Sequence, residues 1–502
     1  MRSVSLSAIA VAVLCATPQP ARAFCGFFVS GADADLYNNA SQVVLMRKGT
    51  RTVMTMSNNY KGPTEDFAMV VPVPVVLHKE DVRTLSPDVF THIDQLSAPR
   101  LVEYWEQDPC RPQYQDMEDS AVASGGAAKS EDGAPSGPRD LGVKIEARFA
   151  VGEYEILILS AKEAGGLEQW LRINKYKIPK NAAPALAPYV RSQMKFFVAK
   201  VNIKKARRDA NGLVVLSPLR FSFEAQELRL PVRLGLINAD GKQDLLIYVL
   251  HPESRFEVAN YKNIFIPTNL EVMDEVRKSF GGFYTALFDA ALAKDNGKAV
   301  VTEYAWQTSS CDPCPVPPLQ ESDLATLGND VISGAVAAPD SGNGRPGAPL
   351  GKGPGSGGGY YGGFSKWVLT RMHTRYDKNT LSEDLIFRAA NPVVGGRSTW
   401  NGTAMELPGE VKPASENNFQ GRYIIRHYWE KPVACANPRY GEWGGPPTGS
   451  QGVLGAGQPQ AATDLANAKR GGVVLARTVR STLPQLGLPG IRAPEHKALK
   501  KK

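Results

Sequence analysis

Cys311-Asp312-Pro313-Cys314 is the sharpest local constellation in the chain. Two cysteines separated by two residues follow a run at 299–306 that reads as a strand. In a thiol–disulfide oxidoreductase such a pair opens a helix, whose N-terminus lowers the pKa of the first thiol. Here Pro315, Pro317 and Pro318 follow at once. No regular helix can start at Cys311, and a glycine-rich stretch replaces the expected βαβ continuation. A structural disulfide is the preferred role, either a local 311–314 bridge or bridges to Cys110 or Cys435. A redox pair is the alternative. Zinc is the third option, with Cys110, Cys435 or His427 completing a site begun by Cys311 and Cys314. A zinc signal normally shows two such knuckles, and this chain has one.

The other reactive residue types form weaker patterns. Asp33, Asp35 and Asn38 make a carboxylate-rich run without EF-hand spacing, which reads as turn capping rather than calcium ligation. His78, His92, His251, His373, His427 and His496 are isolated from one another, with no His-Glu-x-x-His. There is no Gly-x-Ser-x-Gly elbow. Ser192-x-x-Lys195 lacks the Ser-Asp-Asn and Lys-Thr-Gly partners of the β-lactamase set, and Ser192 reads as a helix end before a strand at 195–201. Gly353-x-Gly355-x-x-Gly358 follows no strand and precedes no helix, so it is not read as a phosphate loop. No catalytic, cofactor or metal residue is nominated, and no cofactor is implied. The nominated residues are the disulfide candidates Cys25, Cys110, Cys311, Cys314 and Cys435.

The elements that must position these residues are mainly strands. Residues 42–47 and 50–57 flank Lys48-Gly49 as a hairpin, and 143–150 and 154–160 flank Gly152 as another. Residues 230–238 and 243–250 flank Ala239-Asp240-Gly241, a third hairpin signal. In 67–77, Pro72 and Pro74 would turn their missing donors to one side, which predicts an edge strand or a polyproline stretch. Helices are expected at 166–176 and 182–194. Apolar residues from Leu270 to Leu292 recur near helical spacing, which predicts a helix over 269–292 capped by Asn269. Further strands are expected at 366–376, 384–388 and 422–429. Strands and helices do not alternate regularly. The expected fold class is α+β, mainly antiparallel sheet with a few helices, Gly/Pro-rich linkers and a disordered basic C-terminal tail.

The first 23 residues have the layout of a cleavable secretory signal: Arg2, an apolar run from Val4 to Ala16, then Ala21-Arg22-Ala23. The run is too short to span a bilayer, which needs about 20 apolar residues. No later segment qualifies either. Cleavage after Ala23 would leave 479 residues and five cysteines, an odd number, in an oxidising compartment. Cys25 then reads as a staple for the N-terminus beside Phe24, Phe27 and Phe28. The expected organisation is a signal at 1–23, a main α+β domain at 24–330 with a flexible insert at 116–140, and a Gly-rich linker at 333–363. A β-rich segment at 364–443, with packing on the main domain as one option, and a low-complexity, basic tail at 444–502 follow. The whole chain carries a formal charge of +8. Residues 468–502 hold nine basic residues against Glu495 and account for all of it. The basic balance thus describes a tail rather than a face of the fold. An anionic envelope surface is the partner such a tail suits. No nucleic acid is expected, because the tail lacks interleaved aromatics.

Several segments resemble a known family. They are Cys25-Gly26-Phe27-Phe28 with 33–39, the stretch 58–74 ending in Val-Pro-Val-Pro, and 152–179 with Gly152-Glu153-Tyr154, Leu167, Trp170-Leu171, Tyr176 and Ile178-Pro179. Together they are similar to the secreted bacterial proteins catalogued as domain of unknown function 2330, over most of 24–443. The resemblance implies an envelope or secreted location and carries no activity. Some relatives end in a membrane anchor, and this chain does not. The expected function is a secreted or periplasmic, non-enzymatic binding or structural protein of the bacterial envelope. The alternatives are an envelope thiol–disulfide oxidoreductase using Cys311 and Cys314, or an unrecognised hydrolase.

Overall fold

Side chains along the strands Ala40–Lys48, Arg51–Asn58 and Gln243–His251 alternate between two apolar faces, and that alternation sets the layers. The computed structural model describes residues 27–30, 40–58, 67–110, 142–174, 176, 178, 182–202, 204–208, 214–238, 241–334, 367–400, 405–446, 460–461 and 471–494. Val43, Leu45, Met54, Met56, Leu245 and Ile247 face one core. Val44, Met46, Val53, Leu246 and Tyr248 face another. A sheet apolar on both sides must be covered on both.

The first core lies between two sheets. The larger has eleven strands among the described residues. Its centre runs in the order Ala299–Gln307, Val368–Tyr376, Gln243–His251, Ala40–Lys48, Arg51–Asn58, Leu219–Glu224. The pairing is antiparallel except between Gln243–His251 and Ala40–Lys48. The smaller sheet has five antiparallel strands in the order Phe27–Ser30, Phe67–Val73, Lys195–Val201, Tyr154–Ala161, Val143–Val151. Met69, Val71, Ile156, Ile158, Phe197 and Ala199 point from it toward the larger sheet. Its outer face, with Ala68, Val70, Phe196 and Val198, lies under the helices Ala164–Ile173 and Ala182–Arg191 through Leu167, Trp170, Leu171 and Leu186. The outer face of the larger sheet lies under the helix Asp88–Ser97, through Val89, Phe90, Ile93 and Leu96, and under Leu324 and Leu327. The result is an α/β/β/α stack, an α+β fold.

A further core forms beside the larger sheet. Leu270–Val272, Arg422–His427 and Arg100–Glu106 are neighbouring parallel strands. The helix Phe280–Ala293 packs Phe283, Tyr284 and Leu287 on Tyr423 and Ile425. No helix among the described residues is long and apolar enough to cross a membrane.

The structure departs from the sequence reading at four places. The strand Phe67–Val73 is not an edge. Phe27–Ser30 pairs with it as far as Val70, and Lys195–Val201 pairs along it to Val73. Pro72 falls past the end of the first partner, where a missing donor is tolerated. The 230–250 hairpin does not form. Leu228–Leu230 pairs with Leu385–Ala390, and Arg233–Asn238 is a 3-10 turn. The 269–292 helix begins only at Phe280. Leu270–Val272 is drawn into a parallel strand, and Asn269 lies at φ 54° with its amide on the Arg397 and Pro408 carbonyls. The strand Val368–Tyr376 lies between Ala299–Gln307 and Gln243–His251, so the segment beyond the Gly-rich stretch packs on the main body as a strand of its central sheet. Within the expected tail, residues 471–494 pack on the body. Val479 bridges Val272, and Val479, Leu483 and Leu488 join the core of the long helix. Apolar residues spaced between the basic ones allow this packing. The signal, Cys25, Asp33, Asp35, Asn38, the 116–140 insert and nearly all of 333–363 lie outside the described residues.

Candidate functional site

Where the two stacked sheets part, their edges enclose a cleft of about 320 Å³. One wall is Pro72, Val73 and Pro74, and another is Met54, Phe221 and Phe223 of the larger sheet. The helix Ala182–Arg191 supplies Pro188 and Tyr189. That helix ends at once, with Ser192 N–H on the Pro188 carbonyl and Gln193 at φ 56°, which carries Ser192 and Met194 to the rim. The floor is Pro231, Arg233 and Asp384. Prolines and aromatics give the cleft rigid apolar walls.

The cleft also carries polar groups: Gln226, the ion pair Arg229–Glu227, and, with Ser192, the set Tyr189, Arg233 and Asp384. The Asp384 carboxylate is 3% exposed. Its Oδ1 accepts from Tyr189 Oη at 2.6 Å and from the backbone N–H groups of Val232 and Arg233 at 3.1 and 3.4 Å. Burial raises the Asp384 pKa, and the Tyr189 hydroxyl and Arg233 N–H pull it part of the way back. Burial, and then the Asp384 charge, raise the Tyr189 pKa, so the pair is a phenol donating to a carboxylate. Arg233 Nε is buried and has no hydrogen-bond partner among the described residues. A buried donor left unmade costs about 1–3 kcal/mol. A cleft with apolar walls, charged groups at its floor and rim, and one unspent guanidinium donor suits a small amphipathic molecule that carries an acceptor or an anion. Ser192 is at the rim, but neither Lys195 nor any histidine lines the cleft.

A second constellation is sealed inside the fold. Arg371 donates through Nε to Glu303 Oε2 at 2.6 Å and through Nη1 to Asp94. His373 lies between Glu303 Oε1 at 2.9 Å and Asp244 Oδ1 at 3.1 Å, with Phe288 stacked on it at 3.9 Å. Tyr284 donates to Glu303 and Tyr248 to Asp94. A register shift between Thr302 and Tyr304 takes Glu303 out of the ladder. Burial opposes charge on Glu303, yet His373 and Arg371 hold its pKa down, to about 2. Burial likewise opposes the His373 cation, and Glu303 and Asp244 outweigh it and raise the pKa. No side chain of the Arg371–Glu303–Asp94–His373–Asp244 set is more than 9% exposed, so the network holds layers together.

The cysteines fall into two bridges. Cys110 pairs with Cys435 at a Cα separation of 5.6 Å, and Cys311 with Cys314 at 5.0 Å. Neither pair offers thiolates to zinc, and His427 is elsewhere. It stacks on Trp105 at 4.5 Å and contacts Glu103 at 2.8 Å, beside a groove of about 490 Å³ lined in part by Tyr428, Trp429 and Lys431. The four described cysteines are used by one another, which leaves Cys25 with Cys15 as the one other cysteine of the chain.

Sequence reasoning missed Tyr189, Arg233 and Asp384. They come from distant segments and belong to no motif. The one local signal was the Val-Pro-Val-Pro run, which supplies a wall. A family model described as an uncharacterised protein conserved in bacteria, DUF2330, matches residues 19–388. No curated protein and no solved structure matches the chain.

Proposed function

The chain belongs to the bacterial family DUF2330, and from that premise we propose that it is an extracytoplasmic envelope protein that binds a small ligand in the cleft between its two sheets. Every residue lining that cleft lies between Met54 and Asp384, inside the matched span. The groove at Trp429 draws on residues 426–431, Arg480 and Pro494, beyond it. The observation that carries the reading is Arg233 Nε, a buried donor without a partner among the described residues, beneath a cleft with apolar walls and a charged floor. Two disulfides in the folded body support a location outside the cytoplasm. Binding rather than catalysis is favoured because no lysine or histidine lines the cleft beside Ser192, and the Asp384 carboxylate is taken up by Tyr189 and two backbone N–H groups. The lysines Lys497, Lys500, Lys501 and Lys502 would hold the protein to an anionic surface, which salt-sensitive pelleting with anionic vesicles tests.

Anilinonaphthalene sulfonate, an aromatic body with an anionic head, is a suitable probe. The native protein should bind it saturably. Arg233→Met should weaken binding about tenfold, the scale of one charge-assisted hydrogen bond. Ser192→Trp, at the exposed rim, should block it. Urea midpoints separate these effects from exposure of a loosened core. Native protein without saturable binding, or binding indifferent to both substitutions, overturns the reading.

A further inference from the structure

Three arginines are among the largest fully buried side chains, and only one of them is neutralised. Arg371 has Glu303 and Asp94. Arg100 donates to the carbonyls of Leu96 and Pro313 and, with the Gln420 amide turned to satisfy both its ends, to Gln420 Oε1 at 2.6 Å. Arg422 donates to Asn269 Oδ1 at 3.1 Å, Tyr104 Oη at 3.3 Å and Ser398 Oγ at 3.4 Å. All of these acceptors are uncharged. Burial lowers the pKa of both guanidiniums, that of Arg100 to about 10. A buried cation without an anion is costly.

The nearby carboxylate is Asp312, and its charge acts on both Arg100 and Arg422. It is half-exposed and already engaged by Arg397 Nη2 at 3.1 Å. Asp312 lies inside the Cys311–Cys314 loop, and Arg100 grips the carbonyl of Pro313 in the same loop. Two guanidiniums, Arg100 and Arg397, therefore touch a four-residue disulfide ring that carries one acid. Cys311 packs partly buried against the core of Trp306 and Leu319, while Cys314 is exposed.

We propose that the Cys311–Cys314 bridge is a redox-active disulfide that oxidises peptide dithiols, its reduced form held by Arg100 and Arg397, two cations at the loop against the single acid Asp312. A substrate thiolate attacks Cys314 Sγ, the accessible sulfur. The Sγ–Sγ bond breaks and Cys311 leaves as a thiolate facing the cationic side of the loop. The second substrate thiol loses its proton to solvent and attacks the substrate sulfur of the mixed disulfide. Cys314 departs and takes a proton from solvent. The substrate loses two electrons and two protons and gains a disulfide, and the bridge gains the two electrons. Stabilising a thiolate favours the reduced state and makes a disulfide a stronger oxidant. The fold tolerates the opening, because a ring spanning three peptide steps restrains the unfolded chain far less than one spanning 325.

The test equilibrates the folded, full chain in glutathione buffers and quantifies each cysteine by alkylation and mass spectrometry. Cys311 and Cys314 should reach half-reduction at a [GSH]²/[GSSG] at least about 100-fold below that needed for Cys110 and Cys435. Asp312→Asn removes the acid and should lower the required ratio about two- to fivefold. Arg397→Gln removes a cation and should raise it by a similar factor. Both side chains are at least 36% exposed, and urea midpoints confirm that the variants fold. Reduction of the two bridges at the same ratio, or a ratio that neither substitution moves in its stated direction, overturns the proposal.

Discussion

Deleting the two disulfides should have very different consequences for stability. Cys110 and Cys435 are 325 residues apart, whereas Cys311 and Cys314 are three apart. In the loop-entropy treatment, closing a ring of about 326 residues removes about 5.8 kcal/mol from the unfolded ensemble at 25 °C. A four-residue ring removes about 1.9 kcal/mol. The long bridge joins the ends of two neighbouring parallel strands, Arg100–Glu106 and Arg422–His427, which the chain otherwise brings together only through folding. Cys110→Ser with Cys435→Ser should therefore cost about 4 kcal/mol more than Cys311→Ser with Cys314→Ser. With a urea slope of about 3 kcal/mol/M, the midpoint should fall by about 2 M for the long bridge and about 0.6 M for the short one. Tryptophan fluorescence during urea unfolding of the oxidised proteins reads both. Equal losses, or a greater loss for the short bridge, would refute the reasoning, because loop length would then not govern the effect.

The sealed ionic network gives two further expectations. Glu303→Gln leaves the buried Arg371 and His373 short of an anion and should cost about 3–5 kcal/mol, measured in the same unfolding assay. Because His373 has a raised folded pKa, its contribution is complete below the unfolded value near 6.5 and is lost as pH climbs through the folded one. Glu303, lowered to about 2, contributes above its ordinary value near 4.5 and loses that contribution as pH falls toward 2. Stability against urea should therefore decline above pH 6.5, and His373→Gln should flatten that decline. Gly396→Ala should be severe, since φ is 71° and a Cβ would sit 1.7 Å from the Gln420 carbonyl oxygen. Gly49→Ala, at φ 60° with no atom within 4 Å, should cost only about 1 kcal/mol.

Elements specified by local chemistry were legible. The hairpins at Gly49 and Gly152 follow from a turn residue able to take positive φ between strand-forming runs. Elements decided by distant partners were not. Leu270–Val272 has helical spacing with the residues after it, yet pairing with Arg422–His427 makes it a strand. Arg233–Asn238 is apolar like a strand but lies in a turn against Asp384, some 150 residues on. The CxxC pair was visible as a motif, and its local bridging was one of the options it allowed. Its environment was not visible, because Arg100 and Arg397 have no local signature and meet the loop only in the folded chain. The cleft was legible only in its prolines.

The Cys110–Cys435 bond constrains the order of events during biosynthesis. A chain cleaved after Ala23 and oxidised as it emerges would present Cys25, then Cys110, then Cys311 and Cys314, and Cys435 last. Pairing in order of appearance would join Cys25 to Cys110 and strand Cys435. The native arrangement skips over the 311–314 pair, so Cys110 must either wait through more than 300 residues or be released from an early wrong partner. Wherever Cys110 pairs before Cys435 appears, production of this protein would depend on disulfide isomerisation and not on oxidation alone. A host that oxidises thiols without reshuffling them would accumulate chains whose strands Arg100–Glu106 and Arg422–His427 are never tied together.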